Sequence, residues 1–148
     1  MSRVGAVLAA LGITAAVSLG ASPAKAADAV TVYRSPSCGC CEDWVEHLRA
    51  NGFTVVVKNV EDVAQAKRRF SVPAQLQSCH TAIVDGYAVE GHVPASDIRR
   101  LLAERPRATG LAVPGMPIGS PGMEQGNQRE PYSTILFGPG GQSVYARH

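Results

Sequence analysis

The chain has 148 residues, of which 14 are basic and 12 acidic, and its formal net charge is +2. Its longest basic run is only Lys67-Arg68-Arg69, which argues against nucleic acid or an anionic membrane surface as a partner. The length is sufficient for one compact domain with a hydrophobic core.

The first 26 residues have the pattern of a secretory signal peptide. Arg3 supplies the positive start, residues 4–19 are apolar, and Ala24-Lys25-Ala26 fits a cleavage site. The apolar run is shorter than the roughly 20 residues of a membrane span, with an uncleaved anchor as the alternative. We therefore predict cleavage after Ala26, a periplasmic location without membrane association, and a single domain over residues 27–148.

The first half of this predicted domain alternates strands and helices. Residues 30–33 predict a strand that leads into a cysteine-rich turn, and residues 42–50 predict a helix with one apolar face. Residues 53–57 are β-branched and apolar, which predicts a buried strand. Residues 61–70 predict a second helix, with acidic residues first and basic residues last, as the helix dipole favours.

A hairpin and a third helix complete the core. Residues 81–84 and 87–93 flank Asp85-Gly86, which is a strong signal for a two-residue turn. Ser96-Asp97 can start a helix that Pro106 ends. The order βαβαββα predicts an α/β, thioredoxin-like fold, in which helices flank a mixed sheet. In that fold the turn after the first strand faces the start of the third strand.

Two further segments follow. Residues 110–126 contain eight glycines and prolines in 17 positions, together with Met116 and Met123. This composition predicts a Gly/Pro/Met-rich loop that is neither a helix nor a central strand. Residues 132–137 and 142–146 predict a C-terminal β-hairpin.

Three of the four cysteines, Cys38, Cys40 and Cys41, lie in the turn after the first predicted strand. At the start of a helix, the dipole and the free amide groups stabilise thiolates. Thiolates favour soft metals, namely Cu(I), Zn(II) or iron–sulfur clusters. Three clustered cysteines plus the distant Cys79 fit structural zinc less well than two separated pairs would.

Further candidate ligands come from later segments. Cys79-His80 lies where a thioredoxin-like fold has a proline before the third strand, facing the turn, and His92 ends the predicted hairpin at the same pole. The loop methionines offer thioether ligands, although methionine more often fills a core. We expect His47 and His148 at the surface and Trp44 in the core. The candidate ligands outside the turn are therefore Cys79, His80, His92, Met116 and Met123.

Two other uses of the cysteines remain open. Four cysteines in an exported chain often form two structural disulfides. Because Cys79 is the one partner outside the turn, a second bond would have to close within residues 38–41. That bond also has the geometry of a redox pair, so Cys38 and Cys41 are the alternative catalytic pair of a thiol–disulfide oxidoreductase.

The cysteine motif resembles that of a known family. Ser35-Pro36-Ser37-Cys38-Gly39-Cys40-Cys41, followed by Trp44, is similar to the motif of small exported metal-binding proteins that include the CopG-type copper-resistance proteins. This family was long classed as a domain of unknown function. The segments Cys79-His80-Thr81, 86–94 and 115–124 resemble the same family, so the likeness extends over about residues 30–146.

The resemblance implies a thioredoxin-like fold, a periplasmic location and a role in copper handling. It also implies that cysteines of the turn, together with Cys79, hold copper in a thiolate-bridged site. Such bridging suits Cu(I), because one sulfur can bind two ions and a small cluster can form. We therefore expect a copper-binding protein rather than an enzyme, with copper ions and other periplasmic copper-handling proteins as partners. The alternative is an oxidoreductase that acts on thiols or on copper.

Overall fold

The computed structural model describes residues 29–148, so the predicted signal peptide lies outside the described residues. A short 3₁₀ turn at Ala74–Leu76 precedes the third strand. In chain order the other elements are β1 (Ala29–Arg34), α1 (Gly39–Ala50), β2 (Thr54–Asn59), α2 (Val63–Arg69), β3 (Thr81–Val84), β4 (Tyr87–Glu90), α3 (Ala95–Glu104), β5 (Gly110–Ala112), β6 (Ser133–Gly138) and β7 (Gly141–Arg147).

Within residues 29–148, seven strands form one mixed sheet in the order β2-β1-β3-β4-β5-β6-β7. Strand β1 is parallel to β2 and antiparallel to β3. Strands β3 and β4 form the predicted hairpin, and its turn contains Gly86 at a φ of 85°. The predicted α/β fold with a mixed sheet flanked by helices is confirmed, whereas its specifically thioredoxin-like character stays a prediction.

The helices cover both faces of the sheet. Trp44 and Leu48 of α1 and Ile98 of α3 pack with Val32 in the larger hydrophobic cluster. Alternate strand residues face the other way, and there Ala88, Ala112 and Phe137 form a smaller cluster with Val72 and Leu76, which lie between α2 and β3. Each fully buried large apolar side chain contributes about 1.5–3 kcal/mol to stability. Helix α1, and with it the cysteine turn, is therefore firmly fixed to the sheet.

The strand predicted as buried at residues 53–57 is an edge strand, so that prediction was wrong. Strand β2 pairs with β1 on one side only, and Val56 is 49% exposed. Val55 and Val57 are partly buried against the larger cluster. A run of three valines favours a β-strand both at the centre of a sheet and at its edge, so the sequence did not distinguish the two positions.

The loop prediction for residues 110–126 was wrong for its first three residues. Strand β5 lies inside the sheet, parallel to β4 and antiparallel to β6. Gly110 makes this possible, because a Cβ atom there would lie 1.9 Å from the Ala88 carbonyl oxygen. Pro114 follows the strand and therefore does not interrupt its hydrogen bonds.

The predicted C-terminal hairpin is confirmed as β6 and β7. Residues 113–132 join β5 to β6, and we call them the connecting loop. Across residues 29–148, none of the helices has the length and apolar character needed to cross a membrane.

Candidate metal centre

The cysteine turn forms the start of α1. Cys38 directly precedes the helix, and Cys40 and Cys41 lie in its first turn, so α1 begins three residues earlier than predicted. The Cys38 side chain does not cap the helix, and the three cysteines lie at the positive end of the helix dipole, which stabilises thiolates. Cys38 and Cys41 form a disulfide, whereas Cys40 is a free thiol.

Arg34, at the end of β1, holds this turn from the sheet side. One of its terminal guanidinium nitrogens donates to the Cys38 carbonyl oxygen at 3.0 Å. The other forms a salt bridge with Glu42 in the first turn of α1. A single side chain therefore links the strand, the turn and the helix.

The register of the sheet brings Cys79 to the turn. Strands β1 and β3 are antiparallel and Tyr33 pairs with Thr81, so the end of β1 and the start of β3 are neighbours. The Sγ atom of Cys79 lies 4.0 Å from that of Cys40, which lies 3.6 Å from that of Cys38. All four cysteine sulfurs lie within 4.8 Å of one another. The expected return of Cys79 to the turn is confirmed, and the role of the four cysteines as ligands stays a prediction.

His92 is buried, and both of its ring nitrogens have defined neighbours. Nδ1 lies 2.8 Å from the carbonyl oxygen of Pro121, which can only accept, so Nδ1 carries the proton. Nε2 therefore has the free lone pair, and it lies 3.0 Å from the Sγ atom of Cys79. Metal-binding histidines are commonly held in this way, with one nitrogen fixed by a carbonyl group and the other free for the metal.

His80 lies deeper, fully buried beside two other rings. Its ring centroid is 4.3 Å from that of Trp44 and 5.1 Å from that of His92. Nδ1 lies 3.6 Å from the Cys79 sulfur, while Nε2 has no hydrogen-bond partner among the residues described. Trp44 is buried as predicted, and its indole N–H donates to the Val93 carbonyl oxygen at 2.9 Å. His80 can therefore either bind a metal through Nδ1 or donate an N–H to the Cys79 sulfur.

Cys79 belongs to two groups of potential ligands. The first consists of the four cysteines, and the second of Cys79, His80 and His92, whose ligand atoms also lie within 4.8 Å of one another. Cys79 is thus the residue at which the thiol-only group and the mixed nitrogen–sulfur group meet.

The protonation states of these residues differ. Burial, followed by repulsion from Cys40, raises the pKa of Cys79 to about 11. Burial lowers the pKa of His92, and it lowers the pKa of His80 to well below its usual range. At neutral pH the metal-free site therefore has a protonated Cys79 between two neutral imidazoles. The imidazoles can bind a metal without losing a proton, but Cys79 must release one.

The connecting loop packs directly on the cysteine turn. Gly122 has a φ of 83°, and a Cβ atom there would lie 2.7 Å from both the Cys40 carbonyl oxygen and the Trp44 amide nitrogen. The preceding Pro121 is the residue whose carbonyl oxygen holds His92. Only a residue without a side chain allows the loop to approach the helix and orient this imidazole at the same time.

The two methionines predicted as ligands also lie on this loop. Met116 is 52% exposed, whereas Met123 is half-buried directly after Gly122. Gly115, which precedes Met116, accepts a hydrogen bond through its carbonyl oxygen from the Ser78 hydroxyl. The loop backbone therefore contacts the segment that carries Cys79, and ligation by either thioether stays a prediction.

Two histidines expected at the surface make specific interactions. Nε2 of His47 accepts the Ala95 amide hydrogen bond at 3.1 Å at the start of α3, so the expectation of a solvated side chain was wrong. Burial lowers the pKa of His47, in keeping with a neutral acceptor. His148 is exposed overall, but its Nε2 lies 2.9 Å from Asp97 and its ring stacks on Tyr132. Both contacts are long-range, and no local sequence pattern predicts them.

A buried polar cluster next to Cys79 was missed by the sequence analysis. Lys67 and Glu90 form a buried ion pair, and the Thr81 hydroxyl donates to the same carboxylate. The two-residue turn sets Thr81 opposite Glu90, so the contact between these two residues could have been predicted from the hairpin register. The contact of Lys67 with Glu90 depends on how α2 packs on the sheet, so the sequence alone could not predict it.

Together, the fold and the site define a class of protein. It is a mixed α/β protein in which a helix start and the two ends of a hairpin bring together four cysteine sulfurs, two of them joined in a disulfide, and two neutral imidazoles. Such a donor set is capable of binding a soft metal ion.

Comparison with known proteins agrees with this description. Residues 76–123 match a family model described as a protein of unknown function, DUF411. A solved structure entitled "Copper resistance protein copG- Form 2" is 47% identical, with a TM-score of 0.80, and the match covers 83% of this chain and 99% of that chain. The Form 1 structure is 48% identical, with a TM-score of 0.77, and the match covers 81% and 96% of the two chains. No curated protein sequence matches. The chain belongs to the CopG copper resistance protein family.

Proposed function

We propose that this protein binds copper as Cu(I) through the thiolates of Cys38, Cys40, Cys41 and Cys79, and that it serves copper resistance by sequestering or transferring the ion. The observation that carries the proposal is the convergence of a distant thiol, Cys79, on the three cysteine sulfurs of one helix turn. The name of the related structures, copper resistance protein, supports copper as the metal.

The donor set favours Cu(I) on chemical grounds. Thiolates are soft ligands, and their close spacing allows one sulfur to bridge two ions in a small cluster. Use of all four thiolates first requires reduction of the Cys38–Cys41 disulfide, in which an external dithiol supplies two electrons and is itself oxidised to a disulfide. His92 and His80 offer neutral nitrogens beside Cys79. Met116 and Met123 are included in the proposal as thioether ligands from the connecting loop.

We place this function in the periplasm, as the predicted signal peptide implies. Its partners there would be copper ions and other proteins that donate or receive copper. Sequestration, transfer and redox handling of copper all use the same set of ligands, and the first experiment therefore addresses binding itself.

The test is an anaerobic titration of the reduced protein with Cu(I) against a competing chelator, with free thiols counted before and after. We expect uptake of one or more Cu(I) ions and a matching loss of reactive thiols. If copper stays with the chelator and every thiol stays reactive, the proposal is wrong.

A thiol–disulfide oxidoreductase is the second candidate function. The specific observation in its favour is the bond between Cys38 and Cys41 at the start of α1, where a helix stabilises the thiolate of a redox pair. Catalysed reduction of insulin disulfides by the metal-free protein would support this function. Cys40 distinguishes the two proposals, because dithiol exchange does not need it.

A further inference from the structure

A buried ion pair lies directly behind the segment that carries Cys79. Lys67 of α2 is 6% exposed and Glu90 at the end of β4 is fully buried, with 2.5 Å between Nζ and Oε1. The Thr81 hydroxyl donates to the other carboxylate oxygen at 2.6 Å. Two charges in the interior have a desolvation cost that an apolar pair of similar volume avoids. Stability alone is therefore a weak explanation for this pair.

The carboxylate has a third partner, which belongs to the backbone. The Ser78 amide donates to Oε1 of Glu90 at 2.6 Å. Ser78 directly precedes Cys79, between the 3₁₀ turn and β3. On the other side of Cys79, the His80 carbonyl oxygen accepts from the Gly91 amide at 3.0 Å. The backbone is thus fixed immediately before and immediately after Cys79, and the two residues that fix it are adjacent.

The same stretch continues into His92. Glu90 holds the backbone before Cys79, and two residues later the imidazole of His92 meets the Cys79 sulfur at 3.0 Å. Gly91 lies close to Ser78, since a Cβ atom at Gly91 would be 2.6 Å from the Ser78 Cβ. Movement of the Ser78 backbone would therefore alter the distances from the Cys79 sulfur to both His92 and Cys40.

We infer that Glu90, held by Lys67 and Thr81, is the positioning residue that fixes the Cys79 thiol opposite Cys40 and His92. In its copper-dependent part the inference rests on the proposed function, in which Cys79 is a ligand. Residues that orient a metal ligand typically change metal affinity by about 10–100-fold when they are altered. Glu90 acts in this way through the backbone, without being a ligand itself.

A measurement on the metal-free protein tests the positioning by itself. With the disulfide intact, Cys40 and Cys79 are the free thiols, so peptide mass spectrometry can follow iodoacetamide labelling at each, with Cys40 as the internal reference. In Glu90→Gln the side chain loses the charge that pairs with Lys67, and its N–H₂ group faces either the Thr81 hydroxyl or the two donors Lys67 and Ser78. We therefore expect Cys79 to be labelled several-fold faster relative to Cys40. An unchanged ratio in the folded variant overturns the inference.

Asp97→Asn is the matched control. Asp97 is also a buried carboxylate that accepts a threonine hydroxyl, from Thr134 at 2.6 Å, but it lies on α3. We expect this variant to melt at a lower temperature and to label Cys79 and Cys40 in the wild-type ratio. The same change of ratio in both carboxylate variants would indicate general loosening and would overturn the inference.

The copper-dependent part uses the reduced protein, with circular dichroism to confirm the fold. In a Cu(I) competition titration we expect Glu90→Gln to bind about tenfold more weakly or worse, and Asp97→Asn to bind as wild type. Equal losses in both variants would overturn the inference. If the wild type takes up no Cu(I), the proposed function fails, whereas the labelling ratio still decides whether Glu90 positions Cys79.

A second variant is available if Glu90→Gln does not fold. The double replacement Lys67→Met with Glu90→Met removes both charges and the acceptor for the Ser78 amide, and it leaves no unpaired buried charge. We expect the same faster labelling of Cys79 and the same loss of Cu(I) affinity. Wild-type values for both would overturn the inference.

Discussion

The imidazole Nε2 of His92 lies 3.0 Å from the sulfur of Cys79, although the two residues are 13 positions apart. They flank the β3–β4 hairpin, one before its first strand and one after its second. The short turn at Asp85-Gly86 therefore places a thiol and an imidazole side by side. Because the Cys79 sulfur also lies near that of Cys40, the hairpin places both the thiol and the imidazole beside the start of α1.

Cys40→Ser tests the central claim. We expect the variant to bind fewer Cu(I) ions or to bind them more weakly, because one thiolate is lost from the group of four. Exchange of the Cys38–Cys41 disulfide should be largely retained, since that pair is intact. Cu(I) competition and insulin reduction measure the two properties. Ser37→Ala is the control, as it removes an exposed hydroxyl from the same turn. Unchanged copper stoichiometry and affinity in Cys40→Ser would contradict the four-thiolate site.

His92→Gln tests the imidazole beside Cys79. We expect weaker Cu(I) binding, because the variant lacks Nε2 beside Cys79, which the imidazole presents while its Nδ1 is held by the Pro121 carbonyl. His47→Gln provides the comparison. It disturbs the hydrogen bond at the start of α3, so it should lower stability by about 1 kcal/mol, as loss of a helix cap does. Copper affinity should be unaffected there. Urea unfolding and Cu(I) competition distinguish the two, and wild-type affinity in His92→Gln would argue against a ligand role.

Copper binding should weaken as the pH falls. The pKa of Cys79 is raised to about 11, so the metal-free residue is a thiol and the metal-bound residue a thiolate. Each Cu(I) ion bound there below that pH displaces a proton, and the apparent affinity therefore falls by about tenfold per pH unit for each proton displaced.

Competition titrations across the neutral range, with a chelator of known proton release, give the number of protons displaced. Cys79→Ser should displace about one proton fewer than the wild type, because a hydroxyl replaces the thiol. An identical dependence on pH in the two proteins would show that Cys79 is not a ligand.

Gly122→Ala tests the contact between the connecting loop and α1. The new Cβ atom would collide with the backbone of Cys40 and Trp44, so the loop must move and take with it the Pro121 carbonyl that holds His92. We expect weaker Cu(I) binding together with lower stability.

Gly126→Ala is the control for that variant. Gly126 also has a positive φ, of 54°, but its added Cβ atom meets nothing within 4 Å. Both variants share the backbone strain of a left-handed residue, and only Gly122→Ala adds the collision. Thermal melting and Cu(I) competition on both variants would separate the effect of backbone strain from the effect of moving the connecting loop. Equal copper affinities in the two variants would exclude a role for the contact between the loop and α1.

Local patterns in the sequence predicted the parts of the site that depend on short-range geometry. The order of the predicted strands and helices placed Cys79 opposite the cysteine turn, and the structure confirms that placement. The β3–β4 register also follows from the turn, which sets Thr81 opposite Glu90.

What could not be predicted depends on distant contacts. Lys67 reads as one of three basic residues at a helix end, and only the packing of α2 on the sheet buries it against Glu90. His47 similarly gains its partner from α3. The central position of β5 depends on Gly110 lying against Ala88, an approach that no property of the segment itself reveals.

The pairing of β5 with β6 has a consequence for the energetics of binding. Leu111 and Leu136 are register partners, so both ends of the connecting loop are fixed in adjacent strands. The conformational entropy of closing this long loop is therefore lost when the chain folds, not when a ligand arrives. Because the loop is already closed, Pro121 and Gly122 hold His92 in place before a ligand arrives, and in the proposed function we expect a higher affinity than a free segment would give.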